Sequence, residues 1–213
     1  MIDTSLNIIK QRLTEIAPRI IQFSLNTGAS QQDLDKLEIL IGKRLPIDFK
    51  ELYKIYNGIN DEENWGNFFY GMTFSSIDDI IENYEFRINQ SKDIEPIPLK
   101  KVDPQINGSN LYNLSWVRIG SDGSRSGLFV DLAPTDRGNY GQVIFIDGDY
   151  NVGIFIACSV LELVNNFAAD LQNNLYYLEP DALEDGQHFL EAKSSIDLGN
   201  WHTVDKWKHL ADR

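Results

Sequence analysis

Between Trp116 and Asp147 the chain reads WVRIGSDGSRSGLFVDLAPTDRGNYGQVIFID, and this stretch leaves few folds open. Three runs in it, Trp116 to Ile119, Leu128 to Leu132 and Gln142 to Asp147, are rich in aromatic and branched side chains and are bounded by Gly, Asp, Ser or Pro. Such side chains fill a pleated surface and the bounding residues make turns, so the runs read as strands. The connectors GSDGSRSG and APTDRGNYG are short and turn-rich, and pairing in chain order into an antiparallel meander is the simplest topology. A fourth run, Val152 to Cys158, follows the turn Gly148-Asp149-Tyr150-Asn151, after which the spacing becomes helical.

The flanks supply helices. Leu6, Ile9, Leu13, Ile16 and Ile20 recur at three and four residues, which predicts a helix with a break near Pro18. Ser30 and Asp33 have capping-box spacing ahead of a helix over Gln31 to Ile41, closed by Gly42. Leu45-Pro46 opens a third helix, lined by Phe49, Leu52, Tyr53 and Tyr56 and closed by Asn57-Gly58. Ser75 and Asp78 repeat the capping spacing, predicting a helix over Ser76 to Ile88 with Ile77, Ile80, Ile81 and Tyr84 turned inward. Residues 91–114, with Pro96, Pro98, Pro104 and Gly108, read as an extended connector with at most a short strand. A helix over Val160 to Asn173 follows the meander, then one around Asp181 to Ala192 and an amphipathic segment with Val204, Trp207 and Leu210. The expected fold is a single α+β domain, an antiparallel meander sheet of about five to six strands flanked by helices. Residues 1–27 form an amino-terminal helix packed on it, and residues 173–213 a helical appendage.

Within this pattern, Ile119-Gly-Ser-Asp-Gly, Phe129-Val-Asp-Leu-Ala-Pro, Gly141-Gln-Val-Ile and the helix opened by Ser159 and ending near Asp170-Leu171 follow one another in a characteristic order. Gly28-Ala-Ser, the helix containing Glu38, Gly42, Leu45-Pro46 and Asn57-Gly58 precede them in the matching order. Over residues 28–172 the chain resembles the SMI1/KNR4 (SUKH) family. The resemblance implies a binding protein without catalysis. Bacterial members commonly act as cytosolic immunity proteins that neutralise a cognate toxin, often a nuclease, of polymorphic or contact-dependent toxin systems. Fungal relatives resemble regulatory scaffolds of cell-wall synthesis and signalling.

Charge narrows the partner. Thirty-two acidic against nineteen basic residues give −13, a field that repels nucleic acid and speeds encounter with a basic protein such as a toxin domain. The loop Asp61-Glu62-Glu63 carries three of these charges ahead of an aromatic run, Trp65, Phe68, Phe69, Tyr70 and Phe74. Most of that run reads as core; Trp65, beside the charged loop, reads as a binding anchor. The expected partner surface is Asp61, Glu62, Glu63 and Trp65, with the loops at Asp122 and Asp136. No apolar run approaches the roughly 18 residues of a membrane helix, and MIDTSLNIIKQRL lacks the basic start and apolar centre of a signal peptide. The single cysteine, Cys158, fits a reducing compartment and reads as a small buried side chain. A cytoplasmic location is expected, with no membrane contact.

Catalytic signatures do not assemble. Asp147-Gly-Asp149-Tyr-Asn151 begins like a calcium loop but places Val152 where Gly belongs and Cys158 where Glu belongs. Gly120 to Gly127 lacks phosphate-loop spacing and leads into a strand, and His188, His202 and His209 have no matching carboxylate pattern, so they read as solvent-facing or locally bonded. Convergence of Asp122, Asp131 and Asp147 is the one route to a metal-dependent hydrolase, whereas bonds to loop amides account better for Asp131 and Asp147. No catalytic residue, metal or cofactor is expected.

Overall fold

Every residue from Gln142 to Asp147 is buried, which a sheet with one solvent face does not permit, so something must cover both faces. The computed structural model describes residues 2–92 and 94–211; the extreme residues of the two terminal segments and Asp93 in the connector lie outside the described residues. In chain order the elements are α1 (Ile2–Ile16), a π-helical turn (Ile20–Ser24), β1 (Leu25–Thr27), α2 (Gln31–Ile41), α3 (Ile47–Ile55), β2 (Tyr56–Ile59), β3 (Thr73–Phe74) and α4 (Ile77–Ser91). Then come β4 (Lys101–Val102), β5 (Trp116–Ser121), β6 (Gly127–Asp131), β7 (Gln142–Asp147), β8 (Val152–Ala157), α5 (Val160–Gln172), β9 (Tyr176–Leu178), α6 (Pro180–Glu184) and β10 (Leu190–Ala192).

The main sheet has the order β3-β5-β6-β7-β8-β4. Alternate side chains leave it on opposite sides. Val117, Ile119, Leu128, Val130, Val143, Phe145, Ile154 and Ile156 join the helices in the larger core. Trp116, Phe129, Ile144 and Ile146 emerge on the back, where Leu99 and Ile106 of the connector cover them. The connector therefore completes the fold, and its short strand alters the topology: β4 runs parallel to β8, with Lys101 opposite Val152, so the sheet is mixed where a purely antiparallel one was expected.

Local chemistry sets the boundaries. The Ser30–Asp33 capping box forms and Gly42 ends α2 at φ +69°. The second box falls one residue later than the sequence reading placed it, on Ser76 and Asp79, because the Ser75 amide is still bonded to the Ile119 carbonyl of β5 at 3.0 Å. The third helix stops at Ile55, and Tyr56 to Ile59 leave it to pair with β1 as a second small sheet. The helix expected over Asp181 to Ala192 is likewise replaced: α6 closes at Asp185, and Leu190 to Ala192 return to pair with β9. Beyond it, residues 193–211 are pinned across the sheet end. The Trp201 indole Nε1 donates to buried Asp147 Oδ2 at 2.8 Å, and His209 Nε2 meets Asp103 Oδ1 at 2.8 Å. His188 accepts the Arg19 amide on Nδ1 at 3.3 Å, so His188 and His209 bond across the chain and not locally, while His202 and His209 are exposed as the sequence suggests.

Cys158 is exposed, against the expectation of burial. It lies past the end of β8, immediately before Ser159 caps α5, where the chain turns outward. Its hydrogen bond to Glu162 and that carboxylate's charge raise the thiol above its ordinary pKa. Less of it is thiolate near neutrality, and the thiolate is the reactive form. Glu162→Gln should therefore alkylate faster with iodoacetamide at pH 7.5 than the wild-type chain; an equal or slower rate would mean that Glu162 does not control this thiol.

Candidate functional site: an acidic cleft beside Trp65

The loop leaving β2 carries its charge outward because its uncharged members are tied inward. Asn64 is fully buried. Its Oδ1 accepts the His188 amide at 2.7 Å and Arg19 Nε at 3.2 Å, while its Nδ2 donates to Ser24 Oγ at 2.9 Å. Arg19 Nη2 also donates to the Glu63 carbonyl at 2.6 Å, and the Trp65 amide donates to Gln187 Oε1 at 2.9 Å. The backbone on both sides of Asn64 is thus anchored to the amino-terminal turn and to the segment before β10. Asp61, Glu62 and Glu63 stay exposed, and the Trp65 side chain is 58% exposed.

The aromatics that follow fix this loop to the core. Phe68 stacks on Phe74 with centroids 5.4 Å apart and leans on Phe167 of α5 at 4.7 Å; Phe69 meets Phe167 at 5.2 Å. The Tyr70 amide donates to the Tyr176 hydroxyl at 3.0 Å in a left-handed turn, φ 55°. β3 then pairs with the end of β5, Thr73 opposite Ser121, and the Thr73 hydroxyl donates to the Ser121 carbonyl at 3.1 Å. This pairing brings the β5–β6 turn, with Asp122, to the side of the β2–β3 loop.

Between them lies a cleft of about 490 Å³ lined by Asp61, Trp65, Asp122, Gly123, Phe189 and Glu191, among others. A second cleft of about 500 Å³ shares Asp61, Thr73 and Ser121 with it and continues past Asp79. Asp122 Oδ1 accepts the Ser124 amide at 2.9 Å, and Glu191 Oε2 accepts the Tyr177 hydroxyl at 2.8 Å, which raises the phenol's pKa. Among the described residues, Asp61, Glu62, Glu63, Asp122 and Glu191 make no ion pair. Their field is left to attract a cation from solution.

The structure thus gathers Asp61, Trp65 and Asp122 around one cleft, with Glu62 and Glu63 in the adjoining loop. Asp136 stands apart, exposed in the β6–β7 connection at the opposite end of the strands from Asp122. Glu191 was missed, because residues 181–192 read as helix and nothing in the sequence tied them to the loop at Asp61.

The three aspartates offered for metal chemistry do not meet. Asp131 pairs with Gln142 in the ladder, five residues before Asp147 on the neighbouring strand, about 17 Å along it. Asp131 accepts the Ala133 amide and Gln142 Nε2, both at 2.9 Å, and burial raises its pKa. Asp147 accepts the Asp149 and Tyr150 amides, both at 2.9 Å, as well as Trp201. Among the described residues no three His, Cys, Asp or Glu side chains are placed to hold a metal ion, and no helix is long and apolar enough to cross a membrane.

Known proteins of related sequence place the chain in a family. The model of the SMI1 / KNR4 family (SUKH-1) matches residues 28–190, reaching past residue 172 to the first residue of β10 and stopping short of Glu191. The chain is 22% identical to the glucan synthesis regulatory protein of Neurospora crassa, over 75% of this chain and 36% of that protein. It is 23% identical to KNR4/SMI1 homolog 2 of Debaryomyces hansenii, over 92% of this chain and 39% of that protein. It is 26% identical to the cell wall biosynthesis/cell cycle regulator smi1 of Schizosaccharomyces pombe, over 72% and 33% respectively. The chain thus spans well under half the length of these relatives.

Proposed function

Since the chain belongs to the SMI1/KNR4 family (SUKH-1), we propose that it is a protein-binding module without catalysis, whose acidic cleft receives a basic partner. In this reading the partner is a toxin domain, of nuclease type, and the chain is the immunity protein that neutralises it in the cytoplasm. A nuclease is basic where it grips its substrate, and an acidic protein seated there both matches that charge and occludes the groove. The observation that carries the reading is the convergence of Asp61, Asp122, Glu191 and an exposed tryptophan on one cleft, none of the carboxylates ion-paired among the described residues.

The names of the fungal relatives favour a second reading, a regulatory scaffold in cell-wall synthesis that recruits its partner through the same cleft. The full relatives carry far more chain than is matched here, so what is carried over in this case is a recruitment domain.

One experiment separates the two. The tagged chain is used to capture the product of the adjacent gene across a salt series, and the captured protein is then expressed with and without it. Capture that weakens as salt rises, together with rescue from the partner's toxicity, supports immunity. Capture of a harmless partner with a change in cell-wall resistance on deletion supports the scaffold, and no capture at any salt from 50 to about 500 mM contradicts the immunity assignment for that pair.

A further inference from the structure

Three of the chain's eight arginines, Arg87, Arg118 and Arg125, line a single cavity of about 360 Å³ on the back of the sheet. On a chain of net charge −13 its wall contains no carboxylate among the described residues. The floor is Phe129 and Ile146, and the rim is Leu111 and Tyr112 of the connector with Phe86 of α4, which is 59% exposed.

The cationic groups are held in place by uncharged partners. Arg87 Nη1 and Nη2 donate to the carbonyls of Trp116 and Asn113, each at 2.7 Å, with the guanidinium 5.3 Å over the Phe129 ring. Arg118 Nη2 donates to Ser121 Oγ, to the Ser124 carbonyl and to the Ser126 carbonyl. Among the described residues neither is ion-paired with a carboxylate; Asp122 acts on Arg118 only through space. Arg125 has a surface bridge to Asp149 at 3.0 Å, with both side chains more than half exposed, an interaction that water and salt readily replace. Two glycines open the room. A Cβ on Gly127 would stand 2.4 Å from the Gly120 carbonyl oxygen and 2.8 Å from Arg118 Nε, and one on Gly148 would stand 2.7 Å from both Cβ and the carbonyl oxygen of Arg125, so glycine here admits the close backbone approach as well as these side chains.

We propose that this cavity binds a small carboxylic acid with an aromatic or branched apolar body, the ring or chain against Phe129, Ile146 and Phe86 and the carboxylate facing Arg118 and Arg125. Positive charge held by uncharged partners or by one exposed bridge, beside desolvated apolar surface, is the complement of such a molecule, and guanidinium is the side chain best shaped for a carboxylate. The volume falls within the range of small-molecule sites and suits a body of one ring. Burial, with a smaller contribution from the nearby Arg118 charge, lowers Arg87 to about 10. An anion in the cavity would relieve that repulsion. The cavity adjoins the second acidic cleft, with which it shares Asn83 and Arg118, and its occupancy does not require the proposed partner.

The test is titration of the full-length protein with 3-phenylpropanoate, its neutral amide and inorganic phosphate, read by amide ¹H–¹⁵N shifts. Saturable shifts at Phe86, Leu111, Phe129 and Gly148 with a dissociation constant on the order of 1 mM are expected for the acid. The amide should bind at least about tenfold more weakly, because it lacks the charge the arginines await. Phe86→Ser and Arg125→Gln, both at exposed positions, should each weaken the acid while leaving distant amides unmoved. Equal affinity for acid and amide, shifts confined to other surfaces, binding of phosphate as tight as the acid, or no saturation by about 20 mM would each overturn the assignment.

Discussion

Replacing Asp61, Glu62 and Glu63 together by lysine is expected to weaken binding to the basic partner about 100-fold at physiological salt. An exposed ion pair contributes roughly 0.2–1 kcal/mol, and reversal turns attraction into repulsion, so three positions together amount to about 3 kcal/mol, or two decades. The loop should survive the change, since its hold on the core runs through Asn64, Arg19 and Gln187 and not through these carboxylates. Calorimetry between about 50 and 500 mM salt should show the loss shrinking as the charges are screened. Trp65→Ala should cost about 30-fold by a route that salt does not touch, because a half-exposed indole at the edge of a cleft is the kind of side chain that dominates an interface. An unchanged dissociation constant in both variants would move the partner surface elsewhere on the molecule.

The largest expected effect on stability lies beneath the same loop. Phe68 is fully buried and touches the rings of Phe69, Phe74 and Phe167. Phe68→Ala removes the apolar area and leaves a cavity that these rings cannot close, at a cost of about 3–5 kcal/mol. For a chain of this length that corresponds to a fall in melting temperature of roughly 6–20 °C. Phe68→Leu keeps most of the volume and should cost less than about 1.5 kcal/mol. Urea denaturation of both variants provides the comparison. Near-equal values for the two would mean that the cluster tolerates the hole, and that the loop is held by its hydrogen bonds alone.

The comparison of sequence with structure has a physical pattern. Where a signal was local, it was legible: the apolar runs of β5 to β8, the Ser30–Asp33 cap, the stop at Gly42 and the exposure of Trp65 beside three carboxylates all follow from neighbours within a few residues. Where the decision was made across the chain, it was not. Ser75 and Ser76 are equally good caps by spacing, and only the pairing of Ser75 with Ile119 selects the second. Tyr56 continues the helical spacing and Asn57-Gly58 reads as a helix end, yet β1 offers Tyr56 to Ile59 a partner and they form a strand. Lys101 and Val102 become a parallel strand because the back of the sheet needs cover. Cys158 shares the apolar look of β8, yet the strand ends one residue earlier. The cleft itself is of this second kind: Asp61, Asp122 and Glu191 are far apart in the chain, and the β3–β5 pairing and the β9–β10 hairpin bring them to one place.

The most direct measurement of the central claim is hydrogen–deuterium exchange of the chain free and bound to its captured partner, followed residue by residue. The account predicts slowed exchange over residues 60–67 and 121–124 and in the β9–β10 hairpin. Residues 133–140, around Asp136 at the far end of the sheet, should exchange at the same rate in both states. Protection confined to that far end, or to the exposed outer face of α2, with residues 60–67 unchanged, would contradict it.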